Sequence, residues 1–277
     1  MKHNFKITIP LAIVVTLLFV TYQRMTGPTY PKKFTLEKGQ ESSKVKLLRS
    51  HESHEGAKVE IPVFNSSPTG MKGIVYYKRF PTNDDWSTVP LIQTQNGKFM
   101  QAILPAQPPA GKLQYYVELV DGDWHQSLGS REEPVVIRYK GAVPAAILVP
   151  HICFMFISML LCIWAAFEAK YKTQAFRKIC FISTGTLFVG GMILGPLVQK
   201  HAFNVYWAGL PFDWDLTDNK LLISMIFLAL ASGLNLKASR PWAVILAAVV
   251  LFTAYSIPHS RMGSQFNYEK GKIITDR

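Results

Sequence analysis

VPAAILVPHICFMFISMLLCIWAAF (Val143–Phe167), EAKYKTQAFRK (Glu168–Lys178) and ICFISTGTLFVGGMILGPLV (Ile179–Val198) follow one another without a break. The outer two stretches are apolar over about 20 residues, the length a helix needs to cross hydrocarbon. The stretch between them is short and carries Lys170, Lys172, Arg177 and Lys178. Short basic connectors stay in the cytoplasm, so this hairpin predicts two spans turning on the cytoplasmic side. Toward the C-terminus, Leu221–Leu234 and Pro241–Pro258 repeat the pattern around Lys237 and Arg240. Toward the N-terminus, Ile7–Tyr22 follows Lys2 and Lys6 and reads as an uncleaved anchor. Bulky residues from Val20 to Arg24 leave no small-x-small cleavage site there.

The formal charge of +12 follows this topology. The cytoplasmic pieces hold eight Lys and Arg against Glu168, whereas residues 24–142 hold sixteen basic and twelve acidic residues. The excess is therefore the signature of a membrane protein, and no nucleic-acid motif accompanies it. The lipid bilayer is the expected partner, and nucleic acid is not. An N-terminus in the cytoplasm places residues 24–142, the loop from Lys200 to Lys220 and the tail after Pro258 outside, at a bacterial inner membrane. Gly191 and Gly195 in the third run have the small-x-x-x-small spacing that lets helix backbones approach closely.

Between the anchor and the bundle, short runs rich in β-branched and aromatic residues alternate with turn chemistry. Lys58–Phe64, Gly73–Phe80, Thr88–Gln93, Lys98–Leu104, Lys112–Val120 and Pro134–Tyr139 read as strands. Asn96-Gly97 between two of them is a hairpin signal. So many short strands predict an antiparallel sandwich of immunoglobulin or fibronectin type III kind. Phe99–Glu118 resembles extracytoplasmic sandwich modules of that class. The expected organisation is an anchor helix (1–23), a lead-in (24–55), an all-β sandwich (56–141), a four-helix transmembrane bundle (142–260) and an outer tail (261–277).

Few residues suggest chemistry. Cys153, Cys162 and Cys180 all fall in apolar runs, and no Cys-x-x-Cys-His is present. No Gly-x-Ser-x-Gly, Walker or zinc-protease motif occurs, so a self-contained enzyme is not expected. His51 and His54 could ligate a metal on a helix, but their polar surroundings read as a solvated lead-in, and Trp124-His125 as a loop tip. Three further histidines are different: His151, His201 and His259 fall toward the same, outer face on three helices. Ionisable groups at the edge of hydrocarbon are a site hypothesis by default. After His201 comes Tyr206-Trp207-Ala208-Gly209-Leu210-Pro211-Phe212-Asp213-Trp214-Asp215. Its aromatics suit an interfacial belt, and Thr217 or Asp218 could cap the next helix.

This loop, with a histidine before it and His259-Ser260 after the following helices, resembles the tryptophan-rich haem-handling membrane proteins of c-type cytochrome biogenesis. The resemblance covers residues 201–260 in a chain that otherwise looks like a bacterial envelope protein. It implies that Trp207, Gly209, Trp214 and Asp215 cradle haem, with His201 and His259 as ligands; the cofactor expected on the residues themselves is haem b, with His151 as substitute ligand. The loop has fewer tryptophans and the bundle fewer helices than that family, which carries no sandwich domain. Independently, two neutral imidazoles suffice as axial ligands, and Lys200, Lys220 and Arg261 could meet the propionates. Copper held by His151, Met155 and an outer histidine is a second expectation. Histidines that merely hold loops to the bundle are a third. The function expected is therefore electron transfer or haem handling, or alternatively a cofactor-free scaffold or accessory subunit that binds an envelope protein partner through its sandwich.

Overall fold

A computed structural model describes residues 5–67, 70–258 and 263–275. His259, Ser260 and Arg261 lie outside the described residues. The chain divides into a helical unit (1–28, 143–264 and 275–277) and a β unit (29–142 and 265–274).

The helical unit begins with α1 (Phe5–Thr26), and after the β unit the chain returns as α2 (Ala145–Lys170). A continuous helical rod then runs from Ala175 to Phe203. It comprises α3 (Ala175–Leu187), a π-helical segment (Phe188–Leu194) and α4 (Gly195–Phe203). The unit is completed by α5 (Leu216–Leu234) and α6 (Pro241–Ser256). Helix α1, α2, the Ala175–Phe203 rod and α5 are long and apolar enough to cross a membrane; α6 is shorter.

The N-terminal helix packs with the bundle. Phe19 of α1 meets Phe252 of α6 with ring centroids 3.9 Å apart, and Thr8 reaches α2. Between apolar helices in hydrocarbon, close backbone approach and interhelical hydrogen bonds do the work that water does elsewhere. A Cβ on Gly190 would fall 2.7 Å from the Cβ of Phe154, and one on Gly191 would fall 2.3 Å from Cδ1 of Leu221. At 190, where the neighbours are Phe154 Cβ and backbone, only glycine allows the π segment to lie this close to α2, whereas the Leu221 side chain facing Gly191 can turn aside. Ser158 and Ser183 each donate to the other's backbone carbonyl at 2.9 Å, tying α2 to α3. Thr184 and Ser232 join α3 to α5 at 2.8 Å.

The β unit opens with β1 (Lys32–Lys38) and β2 (Glu41–Leu47), a fully paired hairpin turning at Gly39, whose φ is +59°. Then follow β3 (Ser50–Glu52), β4 (Ala57–Pro62), β5 (Lys72–Arg79), β6 (Ser87–Pro90), β7 (Ile92–Gln93) and β8 (Phe99–Leu104). The remaining strands are β9 (Lys112–Asp121), β10 (Trp124–Leu128), β11 (Val135–Lys140), β12 (Ser264–Asn267) and β13 (Lys272–Thr275). One sheet runs β3-β11-β9-β5-β6 with β10 beside β9; another runs β4-β8-β7; β12 and β13 pair with each other.

The strands β4, β5, β6–β7, β8, β9 and β11 fall on the stretches read as strands. Their alternate residues fill one core, including Ile61, Val75, Leu104, Leu119 and Ile137. Each such side chain contributes about 1.5–3 kcal/mol when fully buried. Four expectations need correction. The stretch 24–55 holds β1, β2 and β3, because Leu36, Val45 and Leu47 have apolar core to cover. Within that stretch His51, read as part of a solvated lead-in, lies in β3. The sheets are not purely antiparallel, since β3 pairs parallel with β11 before the chain switches sheets. Trp124-His125 opens β10, and residues 265–274 of the expected tail belong to the β unit.

Candidate functional site

His151 sits one residue after Pro150 in α2, half-buried, with Nδ1 2.8 Å from the carbonyl oxygen of Gly190. A carbonyl only accepts, so Nδ1 carries the proton, and in the neutral ring Nε2 keeps its lone pair. The ring lies along the π segment: a Cβ on Gly195 would be 3.8 Å from its Cε1. Here the histidine joins two helices across a glycine gap. His201, in the last turn of α4, is exposed. His259 is outside the described residues, so the convergence of three rings rests on a pair of which one ring is tied to its neighbouring helix.

The aromatic loop is built by the first turn of α5. Asp215, not Thr217 or Asp218, is the N-cap: it accepts from the N–H of Thr217 at 2.8 Å and of Asp218 at 3.4 Å. Its second oxygen accepts from the N–H of Ser264 at 3.0 Å. Asp218 then accepts from the N–H of Ala208, and Asn219 from that of Leu210, each at 2.7 Å. Gly209 must be glycine, because a Cβ there would lie 2.7 Å from the Cβ of Asp218. Trp207 donates Nε1–H to the carbonyl of Leu210 at 3.0 Å. Lys220 donates to the carbonyl of Ile257 at 2.8 Å, satisfying the end of α6. Asp215, Trp207 and Lys220, expected to face haem, are thus occupied within the chain, because a loop against an apolar bundle must satisfy its own backbone. Trp214 is left exposed.

One buried group escaped the sequence reading. Glu168, expected in the cytoplasmic connector, lies in the last turn of α2 and is fully buried. Its Oε1 accepts from the hydroxyl of Thr8 at 2.7 Å and from Nε1–H of Trp164 at 3.0 Å, and its Oε2 accepts from Thr173 at 2.7 Å. The i,i+4 pair Trp164–Glu168 was the available signal; Thr8, 160 residues away, was not.

The β unit carries a cleft of about 360 Å³ lined by Tyr77, Arg79, Asp84, Asp85, Ser87 and Gln107 among others. Arg79 meets both carboxylate oxygens of Asp84, at 2.6 and 3.2 Å, and lies 5.1 Å above the ring of Tyr268. The Arg79 hydrogen bond holds the Asp84 carboxyl below its usual range. Tyr268 in turn donates to Gln107 at 2.8 Å, and burial pushes its phenol up to about 12.

Among the described residues no group of three or more His, Cys, Asp or Glu is placed to hold a metal ion. Comparisons with protein-family models, curated proteins and solved structures find no match.

Proposed function

We propose that this chain is a cofactor-free scaffold or accessory subunit of an envelope membrane complex. In this reading the helical unit spans a bacterial inner membrane with the N-terminus in the cytoplasm. The β unit, an immunoglobulin or fibronectin type III-like module, then lies outside and binds a protein partner. The short basic connectors 168–178 and 235–240 support that orientation. The observation that carries the reading is the internal use of Asp215 and Trp207: two of the groups expected to cradle a prosthetic group hold the loop instead. The cleft around Arg79 offers a preset ion pair and exposed polar groups, the chemistry of a polar, non-obligate protein interface.

The test is a photo-crosslinking residue at position 85, exposed at the cleft. One cross-linked protein of constant mass, lost in an Arg79→Ala variant and retained when His151, His201 and His259 are all replaced by Ala, is expected. No cross-link at position 85, or one that survives Arg79→Ala, overturns the cleft as the binding surface.

A second reading, haem b ligated by histidine, is favoured by one observation: a ring whose Nδ1–H is fixed by a backbone carbonyl presents Nε2 as ligands commonly do. Titration of haemin into the detergent-solubilised protein tests it. A stoichiometric Soret shift lost in the His151→Ala and His201→Ala variants would establish it, and an unshifted titration would end it.

A further inference from the structure

The segment Asn204–Asp215 is held to α5 through its backbone at Ala208 and Leu210, with Trp207 against the helical core and four other apolar side chains exposed. Phe212 is 80% exposed, Trp214 61%, Tyr206 56% and Leu210 41%. Their positions are fixed: the N–H groups of Phe212 and Asp213 both donate to the carbonyl of Gly209, at 3.0 and 3.1 Å, and Asp215 N–H donates to Ala208. A preset turn carrying four large exposed apolar side chains marks an interaction surface. The turn lies between the rod ending at Phe203 and α5 beginning at Leu216, two of the candidate spans. Ile193 and Leu197 on the rod and Ile223 on α5 are exposed apolar side chains as well.

We propose that this loop is a membrane wedge: Leu210, Phe212 and Trp214 insert at the boundary between headgroups and acyl chains of the leaflet into which it opens. The proposal rests on the reading that the flanking helices cross a bilayer. The loop's place between two candidate spans selects lipid as the occupant. So does the residue chemistry, since Trp and Tyr place an apolar ring below and a polar edge at headgroup level. Lys200, bonded through Nζ to Oδ1 of Asn204 at 2.8 Å and 5.3 Å from the centroid of the Tyr206 ring, puts a cation beside the loop. The grip of Asp218 and Asn219 on the loop backbone keeps Phe212 aimed away from α5.

Nitroxide labels on cysteines test this in full-length protein in lipid nanodiscs. The background carries Cys153→Ser, because Cys153 is exposed, while Cys162 and Cys180 are buried and unreactive. Three positions are compared: Phe212→Cys, Ile226→Cys on the exposed face of α5, and Asn83→Cys on the exposed surface of the β unit. Side chains this exposed can be changed without disturbing the fold. At 212 the label is expected to collide with oxygen several-fold more readily than with a water-soluble nickel chelate, as at 226 and unlike 83. If 226 lies in lipid but 212 is open to the chelate, the wedge is wrong and the spans stand. If 212 is shielded from both reagents, a protein covers it and the wedge is equally overturned. If 226 itself is open to the chelate, the spanning reading fails, and the wedge with it.

Discussion

The β unit and the helical unit solve the same problem with opposite materials. In the β unit, apolar side chains leave water: Leu104, Leu119 and Ile137 are fully buried, and the backbone is satisfied by strand ladders. In the helical unit each helix satisfies its own backbone, and apolar side chains gain little by leaving lipid. Contact there depends on absent side chains at Gly190 and Gly191 and on hydroxyl groups at Ser158, Ser183, Thr184 and Ser232. The difference teaches where to look for sensitive positions. They should be large residues in one unit and small or polar ones in the other.

The largest effect follows from Gly190→Leu. The added side chain would meet Phe154 and the backbone of Met155, which cannot turn aside, so α2 and the rod must separate. Overpacking costs about 1–3 kcal/mol and more where backbone is hit. Loss of the folded helical unit in detergent, with the β unit still resisting protease, is the expected outcome. Unchanged helix stability would break the comparison from one side. Leu119→Ala tests the other side, removing a fully buried side chain from the central strand. It should destabilise the β unit by about 2–5 kcal/mol in urea titrations and leave the helices unchanged.

Glu168→Ala comes next, because it leaves the donors of Thr8, Trp164 and Thr173 without their shared acceptor. Leaving the buried Thr8 hydroxyl unsatisfied costs about 1–3 kcal/mol, with less from the half-buried Trp164 and Thr173 donors, and Glu168→Gln, which keeps one acceptor, should recover part of the loss. Reading thermal unfolding together with cross-linking between α1 and α2 would show whether α1 alone is released. Equal stability of both variants and wild type would remove Glu168 from the helix-docking account.

The smallest effect is electrostatic. Asp84 is held below its usual range by the hydrogen bond from Arg79, and Asp121 by those from Lys38 and Ser67. A carboxylate depressed in the folded state adds stability above its unfolded pKa, near 3.9, and loses it as pH falls through the folded value. The β unit should therefore unfold at lower urea concentrations below about pH 4 than at pH 7, modestly because these pairs are surface pairs. Asp121→Asn should flatten part of that slope.

Legibility also differed between the units. Strands β4 to β9 could be read because Asn96-Gly97 and Pro81–Asp85 punctuate them. The β1–β2 hairpin was missed although Phe34, Leu36, Val45 and Leu47 alternate around Gly39, because lysines and serines between them resemble a solvated lead-in. In β10, Asp121-Gly122 gave a turn signal that the neighbouring charges disguised, and Gly122 indeed has φ +59°. Helix positions were legible from hydropathy and charge. Their ends were not: α5 starts five residues before the apolar run, because Asp215 sets the cap and Asp218 and Lys220 find partners supplied by other elements. A capping preference names suitable residue types without saying which one meets the free N–H groups. The placement of Glu168 against Thr8 and of His151 against Gly190 depends on helix pairing, which no local pattern encodes.

The most direct measurement of the central claim, two units resting on separate cores in different solvents, is urea unfolding of the full chain in nanodiscs with two readouts. Pulse proteolysis would report the β unit and far-UV circular dichroism the helices. The account predicts cleavage of the β unit at urea concentrations where the helical signal is intact, because urea weakens apolar burial from water but leaves lipid-supported helices in place. A single coincident transition in both readouts would contradict it.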